Sequence, residues 1–455
     1  MPSPLPPSLW SDTARRVAAV VAVLLVAGIG FGVGYLVFGD SGSDDSAATV
    51  GGGRGAGFPE AATRNTTRVG GDDAIADAAA VALATYPSAG GVGAASAVTI
   101  APADNWQLAL AATPLVADPI GTPILLSNES QVPAPTNEAA DALGPKGLDK
   151  ANGTQAYVVG GVAAPTDLKQ SPVAGSDPAD VADAIDGERA KITGEKDPAH
   201  ILVVSSSDPA LAMPAAAWAA RSGDPILFAD GDAVPSGTTN VVKRHPDTPV
   251  YVLGPESAIS DKALKELGAT RVGAEDPVDN AITFARFSDG DFGWNINDPG
   301  HGFAIANVSR PLDAPAAAPL AATGGSPGPL LLTDESASVP PALESFLSDV
   351  QPGFEDDPTR AVFNHTWIIG NTEAMSIGFQ AQVDQLTKLA PVSDATTPPD
   401  VTLPEGGSTG STTTETTTTT GGGSTTGTTT STDATTTIPD LGGEVPMPTY
   451  TPDGK

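Results

Sequence analysis

The sequence predicts an α/β protein built from three tandem Rossmann-like or flavodoxin-like repeats with parallel sheets. An apolar run led by a proline occurs three times, at Pro123–Leu126, Pro225–Phe228 and Pro329–Leu332, and the prolines lie 102 and 104 residues apart. Self-similarity at one period is the signature of repeated units. These runs show no polar alternation, which is typical of strands buried on both faces of a parallel sheet.

The first predicted repeat covers residues 68–172, and its strands alternate with helices. Asp73 can cap the first helix, because its carboxylate can accept hydrogen bonds from the free amides of the first turn. The predicted elements are a helix at 74–85, a strand at 97–101, a helix at 106–116, the Pro123 strand, a helix at 137–143 and a strand at 156–161.

The second and third predicted repeats, residues 173–268 and 269–396, show the same order. Asp73, Asp177 and Asp276 are corresponding residues, with successive separations of 104 and 99 residues. Three equal units can close into a pseudo-threefold ring, which leaves no exposed end unit, or stack in a row. Further predicted elements are helices at 210–220 and 315–322 and strands at 201–204, 225–228, 250–254, 303–306, 329–332 and 366–370.

An uncharged segment near the N-terminus predicts a membrane anchor. Val17–Phe38 contains no charged residue, and Arg15 and Arg16 precede it. A segment of this length can span a bilayer, and the arginines place residues 1–16 in the cytoplasm. We therefore expect an uncleaved transmembrane signal anchor at 17–39, with the bulk of the chain extracytoplasmic, in the cell wall. The alternative is a cleaved signal peptide.

Two further segments lack the pattern of a folded domain. Residues 40–67 are rich in Gly, Ser and Asp, which predicts a flexible linker. Residues 397–455 are rich in Ser, Thr and Gly and hold too little apolar surface to offset the cost of ordering. This second segment is therefore predicted to be a disordered tail.

The composition excludes several functional classes. The formal net charge is −32, whereas nucleic-acid binding requires a basic surface. The chain has no cysteine, so disulfides, thiolate nucleophiles and Cys-ligated zinc are excluded. Its four histidines are scattered without metal-ligand spacing. We predict no enzyme activity, no catalytic residue, no metal site, no cofactor and no nucleic-acid partner.

Three motifs could have suggested other chemistry. Ser205–Asp208 follows a strand, as a nucleophile elbow does, but the Gly-x-Ser-x-Gly signature is missing. Gly160 and Gly161 end a strand without the dinucleotide fingerprint Gly-x-Gly-x-x-Gly. Asp289–Asp298 carries oxygen-bearing side chains at alternating positions but lacks the spacing of an EF-hand. Whether calcium binds this last segment is left open.

The repeat pattern resembles the cell wall-binding repeat 2 family. The resemblance implies three Rossmann-like modules around a pseudo-threefold axis and non-covalent attachment to an anionic polymer of the Gram-positive cell envelope. It covers residues 68 to about 390. The matching residues are Arg68 and Gly71, Pro123–Leu126 and Tyr157–Gly161 in the first unit, Pro225–Phe228 and Tyr251–Gly254 in the second, and Arg271, Pro329–Leu332 and Trp367–Gly370 in the third.

Together these observations predict a membrane-anchored, extracytoplasmic, non-catalytic protein. Its expected partners are a cell wall polymer or a peptidoglycan-associated glycan, and the membrane through residues 17–39. Arg68 and Arg271 are the candidate polymer-binding residues, although each could instead pair with a nearby acid such as Asp72 or Glu275. The alternative function is an envelope scaffold that binds a protein partner and no polymer.

Overall fold

The structure, a computed structural model, describes residues 61–87, 91, 93–323, 327–355 and 357–391. Parallel strands alternate with helices, so the predicted α/β class is confirmed. The strands are β1 (Ala61–Ala62), β2 (Thr66–Val69), β3 (Val98–Pro102), β4 (Ile124–Ser127), β5 (Ala156–Val158), β6 (Gln170–Pro172), β7 (Ile201–Ser205), β8 (Ile226–Ala229), β9 (Val250–Leu253), β10 (Thr270–Val272), β11 (Gly302–Asn307), β12 (Leu330–Thr333), β13 (Gly353–Phe354), β14 (His365–Ile369) and β15 (Ala390–Pro391).

The helices cover the sheets and begin at recognisable caps. Asp73, Asp177 and Asp276 each accept a hydrogen bond from an amide of the first turn that follows. The helices are α1 (Ala74–Thr85), α2 (Trp106–Ala111), α3 (Ala134–Leu143), α4 (Pro178–Thr193), α5 (Pro209–Ala212), α6 (Ala215–Ser222), α7 (Ser236–Arg244), α8 (Asp261–Leu267), α9 (Pro277–Arg286), α10 (Asp313–Ala322), α11 (Pro341–Asp349) and α12 (Ile377–Leu386).

The described strands form three main sheets. The first has the order β4-β3-β5-β6, the second β8-β7-β9-β10 and the third β12-β11-β14-β2-β1. Neighbouring strands are parallel except for β1, which is antiparallel to β2. β13 and β15 form a separate parallel pair.

The three proline-led runs occupy corresponding positions. β4, β8 and β12 each lie at one edge of a sheet, and their side chains are buried because helices cover them. In each case the proline carbonyl accepts a hydrogen bond from the strand alongside. The bonds run from Thr99 to Pro123 (2.9 Å), from Leu202 to Pro225 (3.0 Å) and from Ala304 to Pro329 (3.1 Å).

The sheets do not follow the predicted repeat boundaries. β10 lies at the start of the predicted third repeat but completes the second sheet, and β2 precedes most of the first repeat but joins the third sheet. The prediction of a linker extending to residue 67 is therefore wrong at its end, because Ala61–Ala62 and Thr66–Val69 form strands. Consecutive β-branched residues at Thr66 and Thr67 favour this extended conformation.

Small side chains allow helices associated with the three sheets to pack closely together. α6 and α10 contact each other, and both contact the 3-10 turn Thr113–Val116 that follows α2. Alanines such as Ala216 and Ala317 are buried there, in one core with side chains from all three units. The helix predicted at 106–116 ends at Ala111 instead, because Pro114 has no amide hydrogen to continue it.

Several predictions concern segments outside the described residues. These are the cytoplasmic residues 1–16, the anchor at 17–39, most of the linker and the tail at 397–455. Within the described ranges, no helix combines the length and the apolar character that a membrane span requires.

Candidate functional site

The carboxyl ends of parallel strands are the usual ligand-binding edge of an α/β sheet. At this edge of the third sheet, the loops after β11, β12 and β14 enclose an open cleft of about 410 Å³. Small-molecule sites commonly have volumes of about 300–1,000 Å³. The cleft is lined by Asn307, Val308, Ser309, Arg310, Asp334, Glu335, Ser336, Glu373 and Ala374.

Buried hydrogen bonds hold the loops of this cleft in place. Asn307, the last residue of β11, donates to the carbonyl of Ala374 over 3.1 Å and accepts from the hydroxyl of Ser309 over 2.6 Å. The amide of Ser376 donates to the carbonyl of Ser336 over 2.7 Å. Three loops from different strands are thereby joined, so the cleft is formed before any ligand arrives.

Arg310 is fixed between two carboxyl groups that are wholly buried. Its Nε lies 2.7 Å from Asp313 Oδ2 at the start of α10. Its Nη2 donates to Asp77 on α1, whose other oxygen accepts from the amide of Gly71 over 2.6 Å. Because Asp77 and Arg310 lie 233 residues apart, this ion cluster joins distant segments of the chain at the cleft.

Burial shifts the proton equilibria of this cluster. Burial, followed by the charge of Asp313, raises the pKa of Asp77 to about 8. Burial also raises the pKa of Asp313. Burial opposes the charge of Arg310, but hydrogen bonds and charges from Asp313 and Asp77 outweigh it and raise the Arg310 pKa. Near neutral pH Asp77 therefore keeps its proton, and the remaining carboxylate balances the guanidinium.

The carboxyl pair is placed to share this proton. Together with burial, the interaction between the two carboxyl groups raises the pKa of Asp77 and so favours its protonated form. Asp313 Oδ1 is buried and has no hydrogen-bond partner among the described residues. A shared proton satisfies this oxygen, whereas two ionised carboxylates would leave it as an uncompensated buried charge.

The rim of the cleft is acidic. Asp334, Glu335 and Glu373 are exposed, and Arg310 is the basic residue among the lining side chains. Because the charge of Arg310 is already balanced by the buried carboxyls, the local potential disfavours an anion.

Arg68 and Arg271, the candidate polymer-binding residues, occupy equivalent positions in the structure. Arg68 is fully buried and donates to the carbonyls of Gly370 and Met375 over 2.9 and 2.7 Å. Arg271 donates to the carbonyls of Gly254 and Ile259 over 3.1 and 2.8 Å. Each guanidinium therefore anchors the loop that follows the neighbouring strand, while its contact with a polymer stays a prediction.

The residues of the serine motif, Ser205–Asp208, form local hydrogen bonds. Ser205 is buried, and its hydroxyl accepts from the amides of Ser207 and Asp208 over 3.2 and 3.0 Å. Asp208 caps α5 by accepting from the amide of Leu211. His200 lies at the opposite end of β7, beyond reach of these serines. The motif therefore ends a strand and begins a helix.

The two histidines of the second unit are paired with carboxylates at the other edge of its sheet. The ring nitrogens of His245 lie 2.9 Å from Asp186 and 2.8 Å from Asp197. His200 Nδ1 lies 3.2 Å from Asp224. In the described ranges no group of three or more acidic or histidine side chains is placed to hold a metal ion.

The segment Asp289–Asp298 makes contacts within the fold. Phe292 is buried and stacks on Tyr251 with ring centroids 3.7 Å apart. The hydroxyl of Tyr251 donates to Asp289 over 3.0 Å, and Asp298 pairs with His301 over 3.1 Å. Asp289 and Asp298 therefore have different partners within the fold.

Sequence reasoning missed Asp77, Arg310 and Asp313. The available signal was an acid inside an otherwise apolar stretch, since Asp77 lies in Ala-Asp-Ala-Ala-Ala and Asp313 precedes an Ala- and Pro-rich helix. A buried acid in such a position needs a partner. Arg310, however, lies 233 residues from Asp77, and one sequence does not reveal that pairing.

Two solved structures have a similar fold. The chain resembles Cwp6 from Clostridium difficile with a TM-score of 0.55 and 19% identity, covering 73% of this chain and 50% of that one. It resembles Cwp8 from Clostridium difficile with a TM-score of 0.53 and 18% identity, covering 71% of this chain and 52% of that one. The chain thus spans about half the length of these proteins, and the likeness concerns the fold.

A sequence search found no match among curated proteins. Residues 173–264 match the family model described as cell wall binding domain 2 (CWB2). These residues include the second proline-led strand and the strand β9, which both carried the predicted resemblance. The resemblance to the cell wall-binding repeat 2 family is therefore confirmed over residues 173–264.

Proposed function

We propose that this chain is a non-catalytic protein of the cell surface that attaches non-covalently to a cell wall polymer. The observation that carries the proposal is the match of residues 173–264 to cell wall binding domain 2. The serine motif and the histidines of the second unit are taken up by structural contacts, which agrees with a binding role.

The three units belong to one ring of repeats in this proposal. The same proline carbonyl bond in three sheets supports a common ancestral unit. The contacts of α6 and α10 with each other and with the 3-10 turn Thr113–Val116 support a pseudo-threefold arrangement. β2 joins the third sheet to the start of the first unit, which supports closure over stacking in a row.

The proposal places the chain at the membrane through residues 17–39. Its support is the uncharged run Val17–Phe38 preceded by Arg15 and Arg16. A cleaved signal peptide would release the same domain into the wall, and the mass of the mature protein distinguishes the two forms.

Sedimentation with purified wall sacculi tests the central claim. The full chain is incubated with intact sacculi and with sacculi stripped of their secondary polymers by hydrofluoric acid. We expect the protein to pellet with intact sacculi. It should pellet less with the stripped sacculi if its ligand is a secondary polymer. Protein that stays in the supernatant with both preparations, at low and at physiological salt, refutes wall binding.

A scaffold that binds a protein partner is the second candidate. Phe363 and Ile377 are exposed by 49% and 55%, and large apolar side chains are usually more buried than this. Co-purification of one partner, lost when both residues are changed to Ser, would favour the scaffold over polymer binding.

A further inference from the structure

The Arg310 guanidinium offers hydrogen-bond donors to the third-sheet cleft. Its Nε and Nη2 are engaged by Asp313 and Asp77, whereas Nη1 has no partner among the described residues. The side chain is 23% exposed and lines the cleft. Two buried carboxyls fix its position, so little side-chain entropy is lost when a ligand binds.

Hydrogen-bond acceptors surround this donor. The carboxylates of Asp334, Glu335 and Glu373 lie on the same cleft, and none of them forms an ion pair within the described ranges. The hydroxyl of Ser336 adds a group that can donate or accept. The cleft therefore presents donors and acceptors side by side around a volume of about 410 Å³.

The charges restrict the ligand further. An anionic polymer would meet three exposed carboxylates, while the one guanidinium is already balanced by its buried partners. An ammonium group would find acceptors in these carboxylates, but it has no lone pair to accept from Arg310 and would leave that donor unpaired. A sugar hydroxyl both donates and accepts, so it can use the guanidinium and the carboxylates together.

We propose that the cleft formed by the loops after β11, β12 and β14 binds an uncharged sugar residue of a wall glycan. Arg310 donates to the sugar, and Glu373 with Asp334 accepts from its hydroxyls. Asp77 and Asp313 are positioning residues, because they hold Arg310 and do not touch the ligand. The inference rests on the proposed wall binding and names the chemical class of the glycan.

Competition with charge-sorted oligosaccharides tests this assignment. Oligosaccharides released from purified walls by partial acid hydrolysis are separated by ion exchange into uncharged, cationic and anionic fractions. Each fraction then competes with sacculi for the full chain. We expect the uncharged fraction to release the protein, with little change between low and physiological salt.

Matched acidic variants locate the binding site. Glu373→Ala should weaken competition by the uncharged fraction about tenfold, the usual effect of losing a hydrogen bond to a charged group. Glu344→Ala is the control, because Glu344 is an exposed, unpaired acid on α11 away from this cleft. Circular dichroism confirms that both variants fold.

Each outcome decides a different claim. Competition by the charged fractions alone, or by none of them while sacculi still bind, overturns the sugar assignment and leaves wall binding intact. An equal effect of Glu373→Ala and Glu344→Ala overturns the location in the cleft. Failure of the chain to bind sacculi at all instead refutes the proposed function.

Discussion

Replacing Arg68 by methionine tests whether this buried arginine closes the proposed ring of units. Arg68→Met keeps most of the aliphatic volume and removes every donor. Three of its hydrogen bonds are fully buried, to Gln380 Oε1 (3.1 Å) and to the carbonyls of Gly370 (2.9 Å) and Met375 (2.7 Å). Leaving a buried acceptor unpaired costs about 1–3 kcal/mol. Partial relaxation of the loop places the expected loss of unfolding free energy at about 3–5 kcal/mol.

Arg271→Met is the matched control. Arg271 has the same position in the second sheet, but its side chain is 21% exposed and one of its partners, Asp261, is solvent-accessible. Water can replace those contacts, so we expect a loss of about 1–2 kcal/mol. Urea denaturation followed by circular dichroism measures both variants, and hydrogen exchange should show loosening of β2 and of the loop after β14 in Arg68→Met.

The comparison also tests the predicted polymer contact. If Arg68→Met is no less stable than Arg271→Met, the ring-closing role is refuted. If either variant keeps its stability and loses binding to sacculi, its guanidinium contacts the polymer. For Arg68→Met we expect a loss of stability, because the guanidinium of Arg68 already donates to the loop carbonyls in the free protein.

Three further outcomes follow from the same structure. Asp77 has a folded-state pKa of about 8 against an ordinary value of 3.8. Between pH 3.8 and pH 8 the folded state therefore binds a proton at Asp77 that the unfolded state releases. Unfolding free energy should fall by up to about 1.4 kcal/mol per pH unit as pH rises towards 8 and level off above it. Asp77→Asn should reduce this slope in urea titrations, and the raised pKa of Asp313 should account for the part that remains. Gly70→Ala should lower the melting temperature by several degrees, since Gly70 has φ of +142° and an added Cβ would overlap the Asp77 carboxylate. Gly194→Ala should lower it less, because Gly194 also has a positive φ of +81° but an added Cβ there meets no atom. Calcium at millimolar concentration should leave the melting temperature unchanged, because Asp289 and Asp298 are bonded to different partners, and a rise of several degrees would contradict this.

Asparagine is a sound substitute at position 77 because the chain uses it at the corresponding place. Asp77 and Asn280 each lie four residues after the cap of a helix. Asn280 accepts from the amide of Ala274 over 3.2 Å, as Asp77 accepts from that of Gly71, and also donates to the carbonyl of Leu211 over 3.0 Å. The variant therefore keeps the amide contact while removing the titration.

Local signals in the sequence predicted many of the strands and helices, but not the long-range pairing of strands. They also missed four helices: Ser236–Arg244, Asp261–Leu267, Pro341–Asp349 and Ile377–Leu386. The cap at Asp73 and the proline before Ile124 mark their helix and strand because both effects act within a few residues. The pairing of β2 with β14 joins segments about 300 residues apart, and strand patterning does not name a partner. For the same reason the cleft was missed, since it depends on loops that only the third sheet brings together.

Divergence among corresponding positions argues that ligand binding is concentrated in one unit. The position of Asp77 is held by a buried Val181 in the second unit, and that of Arg68 by Pro172 at the end of the first sheet. A ring whose three sheets bound identical ligands would need the same polar groups in each. Among the corresponding loops of the described residues, the loop after β11 is the one in which a buried ion cluster fixes an arginine, Arg310. In the proposed function, the common proline bond maintains the scaffold, while the edge of the third sheet would make the specific contacts with the glycan.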